Sequence, residues 1–280
     1  MTQSSNPLRQ FFRQPAIYLR LPSKGQFWDP DALDMPDNQE LPVFPMTAID
    51  EITYRTPDAL FNGQAVIDVI QSCVPNILNA WKTPIVDLNA VLVAIRIASY
   101  GNEMELTTTC PSCETAADFG LNLNSVLEQL RCPHYEHSLN HGDLEIQFRP
   151  MTFRQQNASN VEQFENQRMI RIIPDSDLTE DEKLQQMTQV MKNITRLTVR
   201  ALTDSIASIR TPGALVTDSE HIQEFLTHCD RTVFGSIRDR AVELRADTEL
   251  KPLSLKCTNC GHEYQQQISL DQANFFGDAS

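Results

Sequence analysis

The sequence predicts an α+β protein that is mainly helical, with a small discontinuous β-module and an extended proline-rich N-terminal arm. Three observations carry this expectation. Prolines 22, 30, 36, 42 and 45 crowd the start of the chain. Apolar residues recur at helical spacing through 51–101 and again through 127–250. Two stretches of alternating residues, each interrupted by Cys-x-x-Cys, lie far apart, at 102–126 and 251–280. The expected organisation is therefore an arm at 1–50, a helical region at 51–101, two halves of one β-module at 102–126 and 251–280, and an inserted, mainly helical subdomain at 127–250.

In the arm, Ala16-Ile17-Tyr18-Leu19-Arg20-Leu21 reads as a strand closed by the turn Pro22-Ser23-Lys24-Gly25. From Gly25 to Pro45 the prolines oppose long helix and central strand alike, which suits a segment wrapped on something else. Gly63 to Cys73 carries Val66, Ile67, Val69 and Ile70 and stops before Pro75. Asp87 is expected to cap a second helix through Leu88, Val91, Leu92, Ile95 and Ala98, with Gly101 as its stop. Both helices are apolar on more than one face, the mark of a core position.

The insertion opens with a strand alternating Leu144, Ile146 and Phe148. Thr152 with Gln155, and Thr179 with Glu182, are capping-box signatures. The second introduces a long amphipathic helix from Leu184 to Ile209, ended by Pro212-Gly213. A coiled-coil seam is the alternative reading of this helix, disfavoured because its apolar step breaks away from a strict heptad. Thr217 with Glu220 opens a further helix, whose apolar face runs through Phe225, Leu226, Cys229, Val233, Phe234 and Ile237 towards Leu244.

Composition excludes some classes of function. With 37 acidic against 23 basic residues the net charge is -14, and no basic cluster offsets it, so the phosphate-neutralising term of nucleic-acid binding is weak. The N-terminus lacks a secretory pattern and no window approaches a membrane span, which points to a soluble, cytosolic protein. A reducing compartment opposes disulfides, so the seven cysteines are read by spacing.

Cys110-Pro111-Ser112-Cys113 and Cys257-Thr258-Asn259-Cys260 share their flanks. Leu106 and Leu253 precede the knuckles, Leu121 and Leu123, then Ile268 and Leu270, follow them, and Asn124-Ser125 corresponds to Asp271-Gln272. The pattern is an internal repeat of strand, knuckle, strand. Two such tips facing each other would form a closed Zn-S4 site, a structural zinc ribbon holding Zn2+ through Cys110, Cys113, Cys257 and Cys260. Closing the intervening loop costs about 4 kcal/mol plus a constant, against about 10–16 kcal/mol for zinc binding to such ligands. Four thiolates leave no open position for catalysis, and a thiol oxidoreductase would place its CxxC at the start of a helix. His262 is expected beside the site, not in it. Cys132, His134 and His137, with His141 beyond, could make a second metal site but lack a fourth ligand at a recognisable distance. Cys73 and Cys229 read as small buried hydrophobes. No phosphate loop, nucleophile elbow or HExxH is present.

Several strings carry a likeness. Leu21-Pro22-Ser23-Lys24-Gly25, Leu41-Pro42-Val43-Phe44-Pro45-Met46-Thr47-Ala48-Ile49-Asp50-Glu51, Pro57-Asp58-Ala59-Leu60-Phe61-Asn62-Gly63 and Ser72-Cys73-Val74-Pro75 resemble the T-even-type baseplate proteins of contractile-tailed bacteriophages. The helix after Asp87 and the Cys110 knuckle continue the likeness in order; the final knuckle fits it, and the insertion matches only as a helical region. The resemblance implies a non-enzymatic baseplate part or hub-assembly factor. Its partners would be other baseplate or hub proteins, without nucleic acid, membrane or small-molecule substrate. Its place would be the virion tail after assembly in the host cytoplasm. Against this stand a nucleic-acid-binding zinc ribbon, which the acidic balance disfavours, and a thiol oxidoreductase.

Overall fold

A computed structural model describes residues 6–54, 63–248 and 250–266. The string Pro57 to Asn62 and the positions Ile268, Leu270, Asp271 and Gln272 lie outside these residues. The fold is α+β, with helices and small antiparallel sheets. Described residues divide into two compact units, one drawn from Met1–Ala80, Asp87–Leu130 and Leu250–Ser280, the other from Trp81–Val86 and Arg131–Glu249. We call them the cysteine unit and the insert unit.

The cysteine unit starts with a short 3-10 turn, Pro7–Phe11, and a two-stranded sheet of β1 (Ile17–Leu19) and β2 (Leu41–Val43). Pro42 is tolerated opposite Tyr18 because a two-stranded sheet has only edges. The proline-rich chain between the strands lies on its own unit. Asp34 N–H donates to the Asn76 carbonyl at 2.8 Å, Leu78 N–H to the Ala32 carbonyl at 2.9 Å, and Phe44 N–H to the Cys73 carbonyl at 2.8 Å. Leu19, Leu21, Ala32, Leu41 and Val43 are buried there.

Three helices follow: α1 (Ala48–Tyr54), α2 (Gln64–Cys73) and α3 (Ile85–Tyr100). Thr47 and Asp50 cap α1 reciprocally. The Thr47 N–H donates to Asp50 Oδ2 at 2.7 Å, and the Asp50 N–H to Thr47 Oγ1 at 3.2 Å. Arg13 ties this helix start to the end of α2. Its guanidinium donates to the Pro45 carbonyl at 2.6 Å, Asp50 Oδ2 at 3.2 Å and the Ser72 carbonyl at 2.7 Å. A cation there also complements the negative end of α2. Burial pushes the Asp50 carboxyl up, but donors from Thr47 and Ser72 and the charge of Arg13 outweigh it and leave the group below its ordinary value.

Asp87 is not the cap of α3. The helix begins two residues earlier, and the carboxylate turns inward to the proline-rich segment. Oδ1 accepts the Ser23 N–H at 2.8 Å, while Oδ2 accepts the Ser23 hydroxyl at 2.5 Å and the Trp28 indole N–H at 2.7 Å. With no exposure at all, Asp87 has its carboxyl pushed above the ordinary range by burial, and the three donors pull it back. The rest of α3 is apolar on most faces, as a core helix requires: Val91, Val93, Ala94 and Ile95 are fully buried. Beyond it come the hairpin of β3 (Glu103–Thr109) and β4 (Ala116–Asn122), then α4 (Leu123–Gln129). The expected strand position Leu123 is the first residue of α4, because the Asn122 side chain accepts the N–H groups of Asn124 and Ser125 and starts a helix.

The insert unit holds a four-stranded antiparallel sheet in sequential order, β5 (Leu139–His141), β6 (Leu144–Phe148), β7 (Ile206–Arg210) and β8 (Leu215–Val216). Its helices are α5 (Phe153–Ile172), α6 (Glu180–Ser205), α7 (Ser219–His228) and α8 (Arg231–Ala246). Both expected capping boxes form, at Thr152 with Gln155 and at Thr179 with Glu182.

Three expectations need correction. The long helix ends at Ser205, and Ile206 and Ile209 belong to β7. A register shift at Gln147/Phe148 sets Ile206 against Phe148 and Ile209 against Ile146, so a bulge makes residues three apart face one side and mimic a helical step. The next helix is capped by Asp218, not Thr217, through the Glu220 and His221 N–H groups at 3.0 Å each. Its apolar run is broken after His228, where Asp230 caps α8 through the N–H groups of Thr232 and Val233.

Two tests follow from these contacts. Asp87→Ala strands three buried donors and should lower stability by about 3 kcal/mol in denaturant titration; a loss below about 0.5 kcal/mol would contradict the anchoring role. Because Asp50 is depressed in the folded state, its stabilisation is present above the unfolded pKa and lost as pH falls through the folded one. Asp50→Asn should therefore be less stable than the parent at pH 7, with the gap narrowing below about pH 4. A pH-independent gap would refute this.

Candidate metal centre

The two knuckles repeat each other at the backbone. β3 and β4 end on the pair Thr109 and Ala116, and β9 (Leu253–Lys256) and β10 (Glu263–Gln266) on Lys256 and Glu263. In the first tip the Cys110 N–H donates to the Thr115 carbonyl at 3.0 Å and the Glu114 N–H to the Cys110 carbonyl at 2.9 Å. In the second the Cys257 N–H donates to the His262 carbonyl at 2.9 Å and the Gly261 N–H to the Cys257 carbonyl at 3.0 Å. The fourth residue after the leading cysteine is left-handed in both, Glu114 at φ 56° and Gly261 at φ 73°. A non-glycine residue there costs about 1–2 kcal/mol. Residue identity therefore hides the repeat at this position, and sequence reasoning missed Glu114.

These tips meet. Cys110 Sγ lies 3.8 Å from Cys260 Sγ, and Cys113 Sγ 3.6 Å from Cys257 Sγ. All four sulfurs fall within 4.8 Å of one another. A disulfide needs about 2.05 Å, whereas tetrahedral Zn–S bonds of about 2.3 Å put sulfurs about 3.8 Å apart. Cys110 and Cys257 are buried, Cys113 is half-buried and Cys260 exposed.

The surroundings favour thiolate on some members and not others. The hydroxyl and backbone of Thr115 hold Cys113 down to about 6, and the backbones of Cys260 and Asn259 lower Cys257. Cys260 is lowered by the His262 backbone, but its sulfur neighbours outweigh that and push it up to about 11. Asn259 Nδ2 donates to Thr115 Oγ1 at 3.0 Å and reaches Cys113 Sγ at 3.8 Å. Away from the sulfurs, Thr108 Oγ1 and Tyr264 Oη are 2.6 Å apart, a further tie between the hairpins. His262 contributes its carbonyl to the tip, and its ring stacks beside Tyr264 at 6.4 Å.

Cys132, His134, His137 and His141 are not gathered into a comparable group. His134 Nδ1 lies 2.6 Å from Glu136 Oε1, and its ring stacks on His137 at 5.4 Å. Among the described residues, only the four knuckle cysteines form a group of three or more metal-capable side chains with their ligand atoms gathered. Cys73 is fully buried beside Arg13, and burial pushes its thiol up to about 12. Cys229, just past the end of α7, is half-buried and not fully buried as expected, and burial with the nearby Asp230 raises its thiol.

A family model described as T4 bacteriophage base plate protein matches residues 45–277. The chain belongs to this family. The match includes both knuckles of the base plate protein and runs through the whole insertion, well beyond the N-terminal strings that first carried the likeness. Of those strings, Leu21 to Gly25 precedes the matched region, and the capping sequence Thr47 to Asp50 lies inside it. No curated protein and no solved structure matches the chain.

Gly261 gives a clean test of the tip geometry. A Cβ there would meet nothing within 4 Å, so Gly261→Ala adds backbone strain alone. It should cost about 1–2 kcal/mol in thermal or chemical denaturation; a neutral result would show that the left-handed turn is not required.

Proposed function

We propose that this base plate protein is a non-enzymatic structural or hub-assembly subunit of a phage contractile tail, acting through protein contacts, with one Zn2+ held by Cys110, Cys113, Cys257 and Cys260. The observation that carries the metal reading is the gathering of four sulfurs from two backbone-matched tips at tetrahedral spacing. Four soft thiolate donors fit zinc(II). When bound, the ion would supply only cross-linking charge, because all four positions would be taken by protein.

This chain's own residues do the rest. The paired turns hold the leading cysteines inward, Thr115 and Asn259 orient Cys113, and Thr108 with Tyr264 aligns the hairpins behind them. Family membership supports the tail as the site of action, with other baseplate or hub proteins as partners and assembly in the host cytoplasm. The organisation that goes with it is a discontinuous zinc ribbon at 102–126 and 251–280 flanking an inserted helical subdomain. The acidic balance disfavours a nucleic-acid role. A thioredoxin-like role fits poorly with CxxC turns that join strands.

Protein purified without chelators should carry about one zinc per chain by elemental analysis. Cys257→Ser should lose most of that zinc and melt at a lower temperature, whereas Cys73→Ser should keep it. Finding no zinc in the parent protein would overturn the metal reading. Mass spectrometry of washed virions and tail intermediates tests the location; absence from both would refute the baseplate role.

A further inference from the structure

In the insert unit, α5 and α6 enclose a cavity of about 280 Å³ with two chemically different walls. One wall is a stripe of neutral hydrogen-bonding side chains on α5: Gln156, Ser159, Asn160, Gln163, Asn166 and Gln167. Steps of three and four residues put them on one face of the helix. The other wall is aliphatic and comes from α6: Ile194, Leu197 and Ala201. None of the six polar side chains makes a hydrogen bond to another described residue. Asn166 is the most telling of them, since it lines the cavity and yet is only 8% exposed. A buried amide is costly unless something in the cavity bonds to it. Charge takes no part: Glu162 pairs with Arg196 and Arg200 at 3.5 and 3.1 Å, and Arg245, the one charged residue of the lining, has an interaction of its own.

A side-chain carboxamide offers the same groups as a peptide unit, N–H donors and a carbonyl acceptor. It therefore pairs with a polypeptide backbone whatever side chains that backbone carries. Positions 156 to 167 span about 16 Å of helix at about 1.5 Å per residue. Five residues of extended chain, at about 3.3 Å each, cover the same length. Such a chain turns backbone groups to one side every second residue, about 6.6 Å, against about 4.5–6 Å between successive positions of the stripe, a difference that flexible glutamine side chains absorb. Its side chains alternate between two faces, so one set meets Ile194, Leu197 and Ala201. A compact small molecule fits less well. The volume falls just below the range of small-molecule pockets, about 300–1,000 Å³, and Asn160, Gln163 and Gln167 are exposed along an open groove.

We propose that this groove holds an extended, uncharged segment of a partner protein, recognised through its backbone by the α5 amides, with alternate apolar side chains set against α6. Asn166 and Gln163 meet backbone groups at the centre of the segment, and Gln156 and Gln167 meet them towards its ends. The identity of the partner as another tail component rests on the function proposed above; the backbone chemistry rests on the groove.

Calorimetric titration of the purified full chain with acetyl-Thr-Leu-Thr-Leu-Thr-amide tests this. The peptide should bind with a Kd below about 1 mM, and its affinity should change less than about twofold between low and high salt, because no charge is involved. Methylating the backbone nitrogens of both leucines keeps every side chain but removes two donors, and should weaken binding about 30-fold, about fivefold for each neutral bond. The double variant Asn160→Ala with Gln163→Ala, at exposed positions where alanine preserves the helix, should weaken the parent peptide to a similar degree. Lys251→Glu, in the other unit, should leave it unchanged. Absence of binding, or binding insensitive to either the methylation or the double variant, would overturn the inference. Tighter binding of the neutral saccharide maltotriose would overturn it in favour of a sugar site, and self-association abolished by the double variant would overturn it in favour of a second copy. If the chain is absent from particles and tail intermediates while the peptide binds as expected, the proposed function fails and the groove reading stands.

Discussion

Four sulfurs lie within 4.8 Å of one another, on hairpins separated in sequence by the whole insertion, and thiol groups by themselves give little attraction to hold such a cluster. Thiols are weak hydrogen-bonding groups. As thiolates they repel, each adjacent pair by about 4 kcal/mol at 4 Å and an effective dielectric constant of 20. A dication at their centre would carry twice the charge and sit nearer each sulfur than the sulfurs sit to one another, which reverses the balance. The other side-chain ties described between the tips are light: one hydroxyl pair, Thr108 with Tyr264, and the amide of Asn259 on Thr115. Neutral bonds of this kind contribute about 1 kcal/mol each. With the ion proposed above in place, the joining of the C-terminal hairpin to β3 and β4 would depend chiefly on the metal and its four sulfurs.

Elsewhere the same unit is fastened by one buried and one half-buried ionisable side chain. Asp87 and Arg13 each gather donors or acceptors from stretches remote in sequence, Asp87 from Ser23 and Trp28, Arg13 from Pro45, Asp50 and Ser72. Both act on the proline-rich segments, where regular backbone ladders are scarce and side chains must supply the missing directionality. The insert unit solves its packing differently, with capped helices and a bulged sheet that buries Ile146, Phe148, Ile206 and Ile209.

What the sequence made legible follows from how local the physics is. Thr152 with Gln155 and Thr179 with Glu182 are satisfied within one turn, so their four-residue signatures suffice. The knuckles were legible because two backbone turns repeat with the same spacing, and their cysteines are brought together as that repeat implied. Asp87 resembled a cap because its partners lie some sixty residues upstream, beyond any local pattern. Ile206 and Ile209 mimicked a helical step because a bulge in a partner-paired strand spaces them by three. The left-handed Glu114 leaves no signal in a linear reading.

The order of the segments also has a temporal meaning. On the ribosome, Cys110 and Cys113 emerge long before Cys257 and Cys260, and the residues between them take on the order of 10 s to synthesise. During that interval the first pair of thiols has no counterpart. The insert unit, whose strands and helices are all encoded between the two pairs apart from the short Trp81–Val86 segment, can complete its own folding first. The nascent cysteine unit is thus the last part of the chain to mature. With the metal site proposed above, an oxidant or a foreign metal that captures the waiting thiols would act on newly made protein more readily than on finished protein.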